Sequence, residues 1–203
     1  MKVSLLTAAS KEYWPLIQAM AHTKSEYCFK HGYQFSLRVH SSTPSICRFE
    51  REQFMLDELD RCDWLFFMGS DAMITNMNTK VESIIQAYSG SDFIIGLDIF
   101  GINNDVFLLK NVPEAKTFLK YILDNLKNFK DDQEVMKHYL RTIKELKTSV
   151  IPQRVFNSYP EWMYGRNWKQ GEWVKGDFVL HLPGLPLDQR LSIAREILPQ
   201  IIR

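Results

Sequence analysis

Residues 64–76 read WLFFMGSDAMITN: five apolar side chains in a row, then Gly69-Ser70-Asp71, then a second apolar patch. The unbroken apolar run fits a central β-strand covered on both faces. In an open α/β sheet, ligands bind beyond the carboxyl ends of the strands, and here that is where the lone carboxylate of Asp71 stands. What fold the chain has and what Asp71 does are therefore one question.

On either side of this stretch, strand-like and helix-like patterns alternate. Residues 2–8 (KVSLLTA) read as a short strand. The next segment, 10–32, reads as a helix with Ser10 as candidate N-cap, an early Pro15 and a terminal Gly32. Its apolar positions Trp14, Ile17, Met20, Ala21, Tyr27 and Cys28 roughly follow a 3.6-residue period. Residues 33–40 (YQFSLRVH) alternate like a strand, and 47–62 predict a helix through Phe49, Phe54, Leu56 and Leu59. Beyond Asp71 the pattern predicts a helix over 78–90 and strands over 92–98 and 105–111. Helical stretches then follow over 114–129 and 131–146, with a break near Lys130. A turn-rich aromatic segment, 150–184, carries a strand ending in GDFVLHLPG, and 187–203 closes as a helix. The order implies a single α/β domain, its sheet mostly parallel and flanked by helices.

Composition narrows the partners. A chain of 203 residues, 45% hydrophobic and 13% aromatic, can bury a full core. Its 25 basic and 24 acidic side chains leave a net charge of +1, so there is no electrostatic footprint for nucleic acid or an anionic membrane. An anionic ligand has to be met locally. Cys28, Cys47 and Cys62 are odd in number and lack C-x-x-C spacing, which argues against a disulfide framework and against a zinc knuckle. No run of about 18 apolar residues occurs, and residues 1–10 carry one lysine and too short an apolar stretch to read as a secretory signal. These features fit a soluble, cytoplasmic protein or one domain of a longer polypeptide.

The first strand is followed by LLTAAS rather than G-x-G-x-x-G, and G-x-x-x-x-G-K-[ST] occurs nowhere. Dinucleotide and P-loop chemistry therefore lose support. An aspartate at one strand end and His181 at the end of another form an oxygen-plus-imidazole set suited to manganese beside a diphosphate. The same two residues also serve as ordinary turn caps in many proteins.

Several segments in order add to this. KSEYCFKHGYQF, the 47–76 segment ending in GSDAMITN, NNDVFLLKN, DDQEVM, FNSYP and GDFVLHLPG together resemble the family of yeast galactosyl- and mannosyltransferases and plant xyloglucan xylosyltransferases, over about residues 5–184. The resemblance implies a GT-A fold, with a nucleotide-binding half over 1–100 and a donor-sugar and acceptor half over 101–203. It also implies a UDP-sugar donor, a divalent cation (Mn2+ or Mg2+), a glycan acceptor and transfer with retained configuration. Asp71 matches the second aspartate of a D-x-D motif, Ser70 the middle residue, and Gly69 stands where the first aspartate is usual. A carboxylate restored at position 69 is expected to raise manganese affinity if the missing ligand matters. His181 matches a late metal-ligating histidine, and Gly184 a close approach to the phosphates. Pro186 stands near the place of a basic residue, for which Arg190 is a candidate substitute. Arg48 matches the lysine of a W-x-K element in which Ile46 replaces the tryptophan.

Asp131, Asp132 and Gln133 match residues lining the donor sugar and the acceptor hydroxyl, the proposed reacting centre. At the start of a helix, either aspartate is equally suited to capping. Asn103, Asn104 and Asp105 resemble an N-x-G-x-F element, with Asp105 at the glycine; they either bind sugar hydroxyls or form an Asx turn. Thr7 and Ala8 end the first strand, placed to touch base or ribose. Trp162, Tyr164 and Trp168 are candidate acceptor platforms, and Trp173 continues their pattern. Two rivals remain at this point: a degenerate binder without turnover, favoured by Gly69, and another nucleotide-dependent enzyme such as a nucleotidyltransferase.

Overall fold

The computed structural model describes residues 1–41, 43–160 and 169–203. Eight strands and seven α-helices are present among them. In chain order they are β1 (Val3–Ser10), α1 (Trp14–His31), β2 (Gln34–His40), α2 (Pro44–Leu59), β3 (Trp64–Met68), β4 (Ala72–Ile74), α3 (Val81–Ala87), β5 (Phe93–Asp98), β6 (Gly101–Lys110), α4 (Pro113–Asn125), α5 (Asp132–Thr142), β7 (Thr148–Ile151), α6 (Gln153–Phe156), β8 (Val179–His181) and α7 (Leu187–Ile197).

Six strands form one sheet in the order β2-β1-β3-β6-β5-β7, and β4 pairs with β8 in a second, two-stranded sheet. In the large sheet β1 runs parallel to β2 and β3, and β5 runs parallel to β7; only the two ladders of β6 are antiparallel. The uniform apolar run of β3 has the cause inferred from its sequence. Trp64, Phe66 and Met68 face one core with α1, α3, α6 and α7, whereas Leu65 and Phe67 face another with α2, α4 and α5. All five are buried, as the two-sided cover of a central strand requires.

Local chemistry sets the element ends. Helix α1 stops at Gly32, whose φ of 70° is left-handed and whose N–H bonds the carbonyls of Cys28 and Phe29. Three elements, β4, β7 and α6, leave no signal in the sequence: each has four residues or fewer, too few to show a period. Strand β6 begins at Gly101, before the apolar run at 105–111 that marked it, because its polar first half pairs with β5 in a hairpin. Among the described residues, no helix is long and apolar enough to cross a membrane.

Candidate functional site

Two ladders bring the site together. Because β6 is antiparallel to β3, the carboxyl end of β3 meets the amino end of β6. Met68 pairs with Val106, and the Gly69 N–H extends the ladder to the Asp105 carbonyl at 2.7 Å. The chain then turns through Ser70 and Asp71 into β4, where Ala72 pairs with His181 of β8 and the Leu182 N–H bonds the Asp71 carbonyl at 3.0 Å. Asp71, Asp105 and His181, far apart in sequence, thus converge by strand register. Among the described residues they form a group whose ligand atoms all lie within 4.8 Å of one another.

His181 is fully buried, and its Nδ1 lies 3.2 Å from Asn157 Oδ1. Asn157 Nδ2 donates to the Leu97 carbonyl at 3.1 Å, so its Oδ1 can only accept, and His181 Nδ1 carries the proton. Gly96 makes this approach possible, since a Cβ there would lie 2.6 Å from Asn157 Nδ2. The other ring nitrogen, Nε2, is buried without a hydrogen-bond partner, 3.5 Å from both Asp71 Oδ1 and Asp105 Oδ2. Arginines hold the outer oxygens: Arg190 Nη2 is 3.2 Å from Asp71 Oδ2, and Arg51 Nη1 is 3.5 Å from Asp105 Oδ1. Each carboxylate therefore turns its remaining oxygen toward the imidazole.

Electrostatics follow the geometry. Burial works against charge on His181, but the facing Asp71 and Asp105 outweigh it and raise its pKa to about 9. Burial likewise works against ionisation of Asp105, yet His181, Arg51 and Arg190 hold its pKa down to about 2. Behind the cluster lies Lys24, fully buried, donating to the Gly69 carbonyl at 2.6 Å and Thr7 Oγ1 at 3.0 Å. Desolvation lowers its pKa to about 7 against the opposing pull of Asp71 and Asp105.

Two carboxylates and an imidazole suit a hard divalent cation such as manganese or magnesium. Oxygen ligands of one such ion at about 2.0–2.1 Å lie within about 4.2 Å of each other. With 4.8 Å as the outer limit here, only a small movement separates this arrangement from a ligand set. With the Nδ1 proton fixed toward Asn157, Nε2 is the nitrogen such an ion takes, in exchange for the proton that Asp71 and Asp105 hold there in its absence.

Beside the cluster opens a cavity of about 270 Å³, lined by Ala8, Arg48, Arg51, Ser70, Asp132 and Arg190 among others. Arg51 lies over the Phe67 ring at 5.4 Å and also closely pairs with Asp132 Oδ2, which accepts from Asn104 Nδ2 at 2.9 Å. Gln133 Oε1 accepts from the Asn104 N–H at 3.2 Å. The neighbouring aspartates separate in role: Asp131 Oδ1 caps α5 by accepting from the Glu134 N–H at 2.9 Å, whereas Asp132 turns into the cavity.

The remaining sequence candidates fall in several places. Thr7 is turned into the core toward Lys24, and Ala8 lines the cavity. Asn103 makes the Asx turn, its Oδ1 accepting from the Asp105 N–H at 3.0 Å while its Nδ2 donates to Asp98. Arg48 lines the cavity and donates to the Lys130 carbonyl at 2.8 Å. Gly184 has a left-handed φ of 69° in the turn after β8. Trp162, Tyr164 and Trp168 lie outside the described residues, and the Trp173 indole donates to Thr75 Oγ1 at 3.0 Å. Arg51, Lys24 and Asn157 were not singled out from the sequence. Lys24 did leave a signal: it falls between Met20 and Cys28 on the apolar stripe of α1, where a lysine has to be paired.

A family model described as galactosyl transferase GMA12/MNN10 family matches residues 2–89 and 83–186. A search of curated protein sequences returns no match. Among solved structures, a glycosyltransferase involved in glycosylating the major capsid of PBCV-1 superimposes with a TM-score of 0.80 at 16% identity, covering 97% of this chain and 100% of that one. The galactosyltransferase LgtC, solved with donor and acceptor sugar analogues, gives 0.62 at 12% identity and 95% coverage of both chains. GlyE of Streptococcus pneumoniae gives 0.62 at 11% identity, covering 97% of this chain and 64% of that one. At these identities the likeness is one of fold.

Proposed function

The chain belongs to the galactosyl transferase GMA12/MNN10 family and is a GT-A glycosyltransferase, and on that premise we propose that it moves a hexose or pentose from a UDP-sugar to a glycan hydroxyl with retained configuration. The observation that carries the donor half of this reading is the buried, unpartnered Nε2 of His181 facing Asp71, which lines a cavity bordered by arginines. An imidazole and a carboxylate so placed would hold Mn2+ or Mg2+, which when bound neutralises charge growing on a diphosphate leaving group.

The chain's own residues do the rest. Arg48, Arg51 and Arg190 border the cavity and meet an anionic donor in a protein with almost no net charge to attract one. Ala8 and Ser70 leave room at the strand ends for ribose and phosphate. Asp132, nearly buried and fixed by Arg51 and Asn104, supplies an ionised carboxylate beside the donor sugar, suited to stabilise an oxocarbenium-like state. Gln133, tied to the Asn104 N–H, and Asn103, tied to Asp98, keep the polar wall in one arrangement. The acceptor role of Trp162, Tyr164 and Trp168 and the binding of phosphate beside Gly184 belong to the same reading.

The test is a panel of nucleotide sugars, each with and without Mn2+, read by melting temperature and by donor hydrolysis. A UDP-sugar is expected to raise the melting temperature in a Mn2+-dependent way and to be slowly hydrolysed. No shift with any donor under either condition would remove the donor site. Product stereochemistry, read by NMR at the anomeric proton, decides retention.

A further inference from the structure

Gly69 poses a structural problem that its own surroundings answer. It stands at the end of β3, one turn before Asp71, at a position where a side chain would project into the cluster. A Cβ built on Gly69 meets Asp71 Oδ1 at 3.1 Å and the Asp105 carboxyl at 3.3 Å, so Asp105 already occupies that space. The two residues are cross-strand neighbours, joined through the Gly69 N–H and the Asp105 carbonyl at 2.7 Å. Directly opposed positions on an antiparallel pair present their side chains to the same volume. A carboxylate can therefore enter the cluster from either strand, but both strands cannot supply one without crowding.

We propose that Asp105 is the second carboxylate ligand of the divalent cation, delivered from β6 across the ladder, and that position 69 is glycine because Asp105 fills its place. This rests on the reading that a divalent cation binds at Asp71 and His181. Three observations support it. Asp105 Oδ2 is as close to the orphaned His181 Nε2 as Asp71 Oδ1 is, 3.5 Å in each case. Its other oxygen is held by Arg51 as the other oxygen of Asp71 is held by Arg190, so both carboxylates are oriented in the same manner. The three ligand atoms lie within 4.8 Å of one another. On this view Gly69 records no lost ligand: the site keeps two carboxylates and an imidazole, and the expectation that Gly69→Asp strengthens metal binding reverses.

The experiment is Mn2+ binding, measured by the loss of the free-ion EPR signal with and without saturating UDP. The variants are Asp71→Asn, Asp105→Asn, Gly69→Asp and the double variant Gly69→Asp/Asp105→Ala, with folding checked by circular dichroism in EDTA. Asp105→Asn is expected to weaken Mn2+ binding by at least about 10-fold, as Asp71→Asn does. Gly69→Asp alone is expected to bind no more tightly than wild type. The double variant is expected to recover most of the affinity that Asp105→Asn loses, because the carboxylate returns to β3 once its rival is gone. That recovery is one a merely structural Asp105 would not give. Wild-type affinity in Asp105→Asn, with Asp71→Asn deficient, would overturn the inference and leave the cation reading standing. Tighter binding in Gly69→Asp alone would also overturn it, by showing an open ligand position. Wild-type protein that binds no Mn2+, with or without UDP, would sink both.

Discussion

The end of β3 and the start of β6 lie side by side in the sheet yet announce themselves very differently in sequence. Strand β3 is five buried apolar residues followed by a conspicuous Gly-Ser-Asp. Strand β6 opens with Gly-Ile-Asn-Asn-Asp, which on its own reads as a loop, and turns apolar only from Val106. In the folded chain the unannounced end does more of the polar work. Asn103 fixes the hairpin through Asp98, Asn104 holds Asp132 and Gln133, and Asp105 faces His181. Strand register, rather than sequence spacing, decides which polar residues share a site.

The largest expected effect comes from cutting the β6 side at Asp132. Its Oδ2 receives both Arg51 and Asn104, so Asp132→Asn keeps the volume, removes the charge and sets an amide against two donors. Transfer is expected to fall about 100-fold in kcat, roughly 2.7 kcal/mol of transition-state stabilisation. Its neighbour offers the control: Asn is as good an N-cap as Asp, so Asp131→Asn is expected to leave kcat within about twofold and stability nearly unchanged. Equal losses in the two variants would erase the distinction between a cavity aspartate and a capping one.

A smaller effect is expected from the imidazole that faces both strands. Asn157 fixes the His181 proton on Nδ1, and outer partners of metal-ligating histidines contribute about 10–100-fold in metal affinity. Asn157→Ala is expected to weaken Mn2+ binding about 10-fold, and also to lower the melting temperature in EDTA, because the Leu97 carbonyl and His181 Nδ1 lose their buried partner. Unchanged affinity would mean that burial alone holds the ring in place.

These residues also show where sequence reading stops. The fold was legible because β3 and the apolar half of β6 are unbroken apolar runs and α1 roughly follows a helical period, and Asp71 and His181 were legible because each ends an apolar run. Asp105 and Asn104 were visible as polar residues but not as partners of Asp71 and Asp132, since nothing in a sequence states that β6 runs antiparallel to β3. Arg51 sits on a helix face indistinguishable by pattern from that of Arg48, and only packing against Phe67 and Asp132 separates them. Asn157, in the four-residue-helix segment before β8, gains its role from the close approach that Gly96 allows.

The subtlest test bears on the β3 side, at Lys24. Its ammonium donates to the Gly69 carbonyl and Thr7 Oγ1 with no access to water, and burial brings its pKa from the ordinary 10.5 to about 7. Below pH 7 both folded and unfolded chains are protonated there, and the folded chain bears the full cost of a buried charge. Between about pH 7 and 10.5 the unfolded chain binds the extra proton, so this group adds stability as pH rises, at most about 1.4 kcal/mol per pH unit. His181 acts in the opposite sense from about pH 6.5 to 9, its folded pKa being raised, so a single stability curve mixes the two. Lys24→Met separates them. At pH 7 the variant loses two hydrogen bonds, about 1–3 kcal/mol, and is relieved of the buried charge, so its net change there is small. Urea unfolding in EDTA at pH 7, 8 and 9 is expected to show wild type gaining on Lys24→Met by up to about 1 kcal/mol per unit, with the His181 contribution common to both. Parallel curves would mean that Lys24 stays charged in the folded protein, and that the end of β3, like the start of β6, is held by ion pairing rather than by neutral hydrogen bonds.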